Sequence, residues 1–134
     1  MDQVPIPNEI KRFIWLGIPS IPYLEAILLM RDSADKSWDY EEIARRLYLG
    51  EAAAQALLAE LFAGGIIRVD AHTPQRYYYQ PNTKELGHML DLLAVTYTKN
   101  LVGVTHLIHS KLTKKAQQFA DAFRWRKDKE SWPA

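Results

Sequence analysis

The hydrophobic positions in the N-terminal third of the chain follow the period of α-helices. Ile10, Phe13 and Ile14 recur on one face of a short first helix. A second helix is predicted over residues 23–31, and Pro22 can open it because a first-turn N–H has no intrahelical acceptor. This second segment is apolar nearly all round, which predicts a position in the centre of the domain.

Two helices joined by a tight turn are predicted in the middle of the chain. Asp39 and Glu42 have the spacing of a capping box, in which each side chain accepts the other residue's N–H. The helix that starts there stops at a turn, residues 49–50, and a helix of Ala, Leu, Gln and Glu follows over residues 51–63. Glycines at positions 64–65 end it, because glycine readily adopts the left-handed conformation of helix C-caps.

Two runs rich in Ile, Val and Tyr follow and are predicted to be strands. They cover residues 66–69 and 76–80, and residues 70–75 between them have the composition of a turn. The two runs therefore predict one β-hairpin.

The C-terminal third has a long helical pattern that begins near Thr83. An a/d-like seam recurs there at spacings of four and three, and its members are Leu86, Leu90, Leu93, Tyr97, Leu101, Val104, Ile108 and Leu112. The seam predicts a helix of about 30 residues, longer than the domain core that it would cover. A separate last helix is predicted over residues 113–126.

The composition is that of a globular protein, with 48% hydrophobic and 25% charged residues among 134 positions. The lack of cysteine excludes disulfides and thiolate zinc sites. The N-terminus does not have the charged-then-apolar order of a signal peptide, and apolar runs such as residues 27–30 are too short to span a bilayer. We therefore expect a cytoplasmic protein with no membrane partner.

Charge is distributed unevenly along the chain. Residues 1–81 carry eight Lys and Arg against eleven Asp and Glu, a net charge of −3. Residues 82–134 carry nine against five, a net charge of +4. The front of the chain is thus mildly acidic and the back is basic, which bears on any polyanionic partner.

The order helix, turn, helix, hairpin resembles the winged helix-turn-helix of MarR-type bacterial regulators over roughly residues 22–80. The positions that carry the resemblance lie in the core and the turn, and they are Ala44, Leu47, Leu49, Ala54, Leu57, Leu58, Leu61 and Gly65-Ile66-Ile67. Trp38 lies where winged helices often place a short third strand. The resemblance implies a mainly helical α+β fold, a winged helix-turn-helix with a two- or three-stranded wing and flanking N- and C-terminal helices.

The resemblance also implies a homodimer formed by the flanking helices. We expect residues 1–20 as an N-terminal extension, residues 21–81 as the winged domain and residues 82–134 as a dimerising C-terminal extension. The candidate interface residues are Ile10, Phe13, Ile14, Leu86, Leu90, Leu93, Tyr97, Leu101, Val104 and Ile108. The alternative is that the seam packs on its own domain, and the length of the predicted helix favours the dimer.

MarR-type regulators bind duplex DNA through the second helix of the pair and the wing, and this implies the same mode here. The candidate nucleic-acid contacts are Arg45, Arg46, Gln55, His72, Gln75 and Arg76. For Arg45 and Arg46 on the first helix, a solvated face paired with Glu41 and Glu42 is favoured over a DNA contact. The leading expectation is a transcriptional regulator that binds duplex DNA.

The predicted recognition helix departs from the family pattern, because none of its outward residues is basic. These residues are Glu51, Ala52, Ala53, Gln55, Ala56, Ala59, Glu60 and Ala63. Affinity for DNA comes largely from neutralising phosphates. The alternative function is therefore a protein-interaction module with a partner in the transcription machinery. A small-molecule sensor is compatible with the resemblance, but no residue marks its pocket.

No arrangement of catalytic or metal-ligating residues stands out. His106 and His109 share a helical face, but a metal site needs further ligands and the sequence shows none nearby. The chain has no Gly-rich phosphate loop and no local signature of a nucleophile. We expect no cofactor, no metal and no enzymatic activity.

Overall fold

The computed structural model describes the backbone of residues 4–130 and the side chains of residues 4–122. This part of the chain is mostly helical with a small three-stranded antiparallel sheet, so it is compatible with the predicted α+β class. In chain order the elements are α1 (Asn8–Gly17), α2 (Ile21–Asp32), β1 (Ser37–Trp38), α3 (Tyr40–Leu47), α4 (Glu51–Ala63), β2 (Ile67–Val69), β3 (Tyr77–Tyr79), α5 (Lys84–Lys99) and α6 (Leu101–Glu130).

Side-chain caps define where α2 and α3 begin. The Ser20 hydroxyl accepts the N–H of Tyr23 at 3.3 Å, and α2 therefore begins slightly earlier than the sequence predicts. The Asp39 carboxylate accepts the Glu42 N–H at 2.8 Å, while the Glu42 carboxylate accepts the Asp39 N–H at 3.1 Å. The predicted capping box is thus confirmed, and it satisfies N–H groups that lack partners within the helix.

In the turn between α3 and α4, a tyrosine adopts the left-handed backbone conformation. Tyr48 has φ 56°, and its side chain is 95% exposed. The N–H of Leu49 donates to Ala44 O at 2.9 Å and closes the end of α3. The turn lies at the predicted place, although a tyrosine, rather than a glycine, adopts the conformation that L-residues usually avoid.

The sheet has the order β1-β3-β2, so the last strand in the sequence lies in the centre. Both pairings are antiparallel, with Trp38 opposite Tyr77 and Ile67 opposite Tyr79. The predicted hairpin is confirmed, with shorter strands than expected. Trp38 belongs to β1, the strand that joins the hairpin to make a three-stranded sheet, as its position in the sequence suggested.

The hydrophobic core surrounds α2, as its apolar composition predicts. Leu24, Ala26, Ile27 and Met30 of this helix are fully buried. Around them pack the inward faces of α3 and α4, the inner face of the sheet, and residues of α1, α5 and α6. Burial of these side chains supplies the main driving force for folding.

The prediction of one long seam helix is wrong, because the helix is interrupted at Asn100, between α5 and α6. The side-chain oxygen of Asn100 accepts the Gly103 N–H at 2.9 Å and caps α6. Its side-chain nitrogen donates to Val4 O at 2.8 Å, which ties the break to the N-terminal segment. Asn100 thus stabilises the interruption, since its side chain hydrogen-bonds the backbone of α6 and of the N-terminal segment. The predicted separate helix over residues 113–126 is also wrong, because α6 runs through that segment.

Most of the predicted dimer-interface residues lie inside a single chain. Fully buried members of the set are Ile10, Ile14, Leu90, Leu93, Val104 and Ile108, and partly buried ones are Phe13, Leu86 and Tyr97. A fully buried side chain has no surface left for a second copy. The alternative that the seam packs on its own domain therefore describes Leu90, Leu93, Val104 and Ile108, and Ile10 and Ile14 of α1 are buried in the same core. Leu101, 52% exposed, is the one member of the set on the surface. The homodimer stays a prediction.

Gly65 allows the left-handed bend that follows α4, and its replacement should be costly. It has φ 77°, and a Cβ at this position would lie 2.5 Å from the side-chain nitrogen of Asn82. We expect Gly65→Ala to lower the free energy of unfolding by about 1–2 kcal/mol, measured by urea denaturation.

Gly87→Ala is the matched control for this change. Gly87 lies within α5, and its added Cβ would meet Pro81 at an ordinary 3.8 Å. Because alanine favours helices, this variant should be more stable than the parent by about 0.5–1 kcal/mol. Equal effects of the two substitutions would contradict the assigned role of Gly65.

Candidate recognition surface

The solvent-facing side of α4 is a continuous stripe of alanine. Ala54, Leu57, Leu58 and Leu61 are buried against the core, which fixes the rotation of the helix. The exposed alanines on the opposite side, spaced four, three and four residues apart, are Ala52, Ala56, Ala59 and Ala63. We call these four residues the alanine face.

Larger side chains border the alanine face toward the hairpin. Phe62 is 50% exposed, and its ring packs edge-on against Tyr77 with 6.2 Å between the ring centroids. Edge-to-face geometry is favourable for aromatic pairs, so the contact between the two rings contributes to the packing of α4 against β3. The exposed apolar surface of α4 thereby extends beyond alanine to an aromatic side chain.

A cleft of about 450 Å³ lies between α4 and the hairpin. Its lining is formed by Tyr40, Gln55, Leu58, Pro74, Gln75 and Tyr77, which we call the α4–hairpin cleft. The structure thus brings together Gln55 and Gln75, two of the predicted nucleic-acid contacts. The cleft contains amide, phenol and apolar groups, and none of its lining side chains is cationic.

The electrostatic surroundings of this cleft are acidic. The negative charges of Glu41 and Glu51 raise the pKa of Tyr40 above its ordinary value, with smaller contributions from burial and Asp39. Glu51 lies in the first turn of α4, and Glu60 is the other charged residue of that helix. Because a phosphate would meet the carboxylates of Glu41 and Glu51 as it approached, the α4–hairpin cleft is poorly suited to a DNA backbone.

Arg76, a predicted nucleic-acid contact, is held by the protein itself. Its guanidinium donates to Ser37 Oγ at 2.8 Å and to the Ser37 carbonyl at 2.7 Å. The same group lies 2.7 Å from a Glu42 carboxylate oxygen and 3.4 Å from one of Asp39. We call these four residues the Arg76 network. Through these contacts Arg76 joins the hairpin to β1 and to the start of α3. The sequence analysis did not predict this structural role.

The other predicted contacts lie apart from the α4–hairpin cleft. Arg45 and Arg46 are exposed on α3, and the Arg46 guanidinium lies 5.6 Å from the centroid of the Trp38 ring. His72 is exposed in the hairpin loop, where its backbone N–H donates to an Asp70 carboxylate oxygen at 2.9 Å. Among the described residues, neither arginine forms the suggested ion pair with Glu41 or Glu42. Glu42 instead binds Arg76 and Lys36.

Sequence reasoning missed the aromatic part of this surface. Phe62 was not among the outward positions, yet a helical wheel places it beside Gln55, at the edge of the exposed side. Pro74 and Tyr77 belong to the cleft because the hairpin folds back toward α4, and Tyr40 at the start of α3 completes the lining. No local sequence signal marks that approach.

Comparison of the chain with protein-family models, with curated proteins and with solved structures finds no match. Within residues 4–130, no single helix is long and apolar enough to cross a membrane, and α1 with α2 reaches that level only as a pair bent by 110°. Among the described residues there is no group of three or more His, Asp or Glu side chains placed to hold a metal ion.

The Arg76 network should make the stability of the protein sensitive to acid. Burial opposes ionisation of Glu42, but the Asp39 N–H and the Arg76 guanidinium outweigh it and lower the pKa of this carboxyl. A lowered folded-state pKa gives stability that is present above the ordinary value and is lost as the pH falls through the folded-state pKa. We expect Glu42→Gln to lower the free energy of unfolding by about 1–2 kcal/mol near neutral pH, measured by urea denaturation at a series of pH values.

The difference between the parent and Glu42→Gln should shrink as the pH is lowered below the ordinary value of 4.5 for a glutamate. Glu41→Gln, an exposed change on the same helix, is the control and should follow the parent at every pH. Parallel stability curves for the parent and Glu42→Gln would show that this carboxylate does not contribute in the way the geometry indicates.

Proposed function

We propose that this chain is a winged-helix domain that binds another protein through the exposed side of α4 and the α4–hairpin cleft. In this assignment α3 and α4 are the helix-turn-helix and the β2–β3 hairpin is the wing. The observation that carries the proposal is the surface of α4, which presents the alanine face and Phe62 where a DNA-binding winged helix needs cationic and amide side chains.

The shape of this surface favours a helical partner. Small side chains permit the close approach of a second helix, because the distance between packed helix axes depends on the residues at the contact. Phe62 and Tyr77 stand at one edge, where a partner side chain can pack against the aromatic rings. The adjacent cleft of about 450 Å³ can receive one such anchoring side chain.

The charges beside the surface indicate the chemistry of the partner. Glu51 and Glu60 are exposed on α4, and Glu41 is exposed on α3. Carboxylates at the rim of an apolar interface favour a partner that carries Lys or Arg beside its apolar residues. The proposed partner is therefore a basic amphipathic helix.

Duplex DNA is the second candidate, and the exposed Arg45 and Arg46 of α3 favour it. These two arginines could contact phosphates beside the recognition helix. They do not supply base readout, for which the exposed side of α4 offers Gln55 alone. With Arg76 held in its network, the surface has few cations for the phosphates that dominate affinity.

The proposal is tested with a synthetic peptide of about four helical turns that carries leucine on one face and lysine beside it. We expect saturable chemical-shift changes in amide NMR spectra, concentrated at α4 and the hairpin. Ala56→Glu should weaken peptide binding about tenfold or more, because it places a charge in the centre of the apolar contact. Ala116→Glu, at an exposed helical position of α6, is the matched control and should bind the peptide as the parent does.

A parallel titration uses a mixed-sequence duplex of about 20 base pairs at increasing salt. The protein-binding proposal expects no shifts at α4 from the duplex, even at low salt. It fails if the duplex binds with steep salt dependence through α4 and Arg45→Ala with Arg46→Ala reduces that dependence. It also fails if the peptide does not bind, or if Ala56→Glu has no effect.

A further inference from the structure

A second cleft, of about 420 Å³, lies where α1 meets α6. Its lining residues are Trp15, Leu16, Lys111, Lys114, Lys115 and Gln118, and we call it the α1–α6 cleft. None of them belongs to the proposed protein-binding surface. The cleft is of the size of small-molecule sites, which typically begin at about 300 Å³.

One of its lysines is buried. Lys111 is 5% exposed, and its ammonium donates to the carbonyl of Ile18 at 3.3 Å. Burial lowers the pKa of Lys111, and the nearby charge of Lys115 lowers it further. Lysine is rarely buried without a partner, because the loss of hydration disfavours its charge.

The Ile18 carbonyl offsets only part of this charge. Ile18 follows the last residue of α1, and a cation near a helix C-terminus is favourable because that end carries about half a negative charge. An ammonium has three N–H donors, and the structure shows a hydrogen bond from Lys111 to Ile18 alone among the described residues. The Lys111 ammonium therefore has N–H groups that remain available to a ligand in the cleft.

The neighbouring charges make the imbalance larger. Among residues 4–122, no carboxylate oxygen lies within 4.0 Å of the side-chain nitrogen of Lys111, Lys114 or Lys115. Lys11 and Arg12 line an adjoining depression that shares Trp15 and Leu16 with the cleft. Cations of the same sign grouped around a concave surface raise the local concentration of anions.

Aromatic and aliphatic surface lies beside these cations. Trp15 is 37% exposed, with the Lys114 ammonium 5.8 Å from the centroid of its ring, and Leu16 is 75% exposed. Both side chains are placed to contact an organic group attached to an anion. Lysine ammonium groups act as point charges, which suit the several oxygens of a phosphate.

We propose that the α1–α6 cleft binds a phosphate group attached to an organic moiety, with Lys111, Lys114 and Lys115 as its cationic ligands. The phosphate occupies the space between the three ammonium groups, and the organic part lies against Trp15 and Leu16. A soluble phosphate ester and a lipid headgroup both present this chemistry.

The first arm of the test titrates glycerol 3-phosphate into the protein and follows amide and indole N–H signals by NMR. We expect saturable shifts centred on the Trp15 indole and on residues of the α1–α6 cleft. The variant with Lys114→Gln and Lys115→Gln should lose about tenfold or more in affinity, because it removes two charge-assisted contacts. Both lysines are exposed, so this variant is expected to keep the fold, checked by circular dichroism. Lys84→Gln, at an exposed lysine of α5, is the matched control and should bind as the parent does.

The second arm measures co-sedimentation with phosphatidylcholine vesicles that contain or lack phosphatidic acid. Binding that needs phosphatidic acid and the cleft lysines supports the proposal and identifies a lipid source. Binding of glycerol 3-phosphate without vesicle binding supports it and identifies a soluble source.

The proposal is overturned if neither probe binds at low salt, or if chloride at matched ionic strength produces the same shifts. It is also overturned if Lys84→Gln weakens binding as much as the cleft variant does. Binding of duplex DNA through these lysines, with no effect of glycerol 3-phosphate, would assign the region to nucleic acid and would equally overturn it.

Discussion

The Arg76 guanidinium determines both the shape and the charge of the α4 side of the molecule. It joins the end of the hairpin to β1 through Ser37 and to the start of α3 through Asp39 and Glu42. With that end fixed, the hairpin loop that carries Gln75 lies beside α4 and forms the α4–hairpin cleft. The same contacts pair this cation with two carboxylates. The same network that positions the α4–hairpin cleft thus makes its surroundings unfavourable for phosphate, because a guanidinium already paired with carboxylates has little attraction left for another anion.

The parts of the fold that the sequence predicts are those set by local rules. The capping box of Asp39 and Glu42 depends on residues three positions apart, and Gly65 provides the left-handed conformation after α4. The burial of α2 follows from a sequence that is apolar nearly all round. In each case the residue type alone restricts the backbone or the environment, so no knowledge of distant parts of the chain is needed.

The parts that the sequence did not predict depend on contacts between distant residues. Asn100 ends the seam helix with support from Val4, 96 positions away, and Arg76 meets Ser37 across 39 positions. A heptad pattern continues across Asn100, so periodicity alone favours one helix there. The α4–hairpin cleft likewise depends on residues that are distant in the sequence, because Gln55 lies on α4, Gln75 lies in the hairpin loop, and only the folded structure brings them together.

The basic residues concentrated in the C-terminal third of the chain affect the stability of α6 as well as the charge of the α1–α6 cleft. Lys114 and Lys115 lie three and four residues after Lys111 on this helix. Each pair of like charges at such a spacing destabilises a helix by about 0.2–0.5 kcal/mol. From Leu112 to residue 122 every side chain of α6 is exposed, so this segment receives little stabilisation from the core. A phosphate between the three ammonium groups would replace their mutual repulsion with attraction. Occupancy of the cleft would therefore stabilise the segment of α6 that projects beyond the core, because binding to the folded form alone shifts the equilibrium toward it.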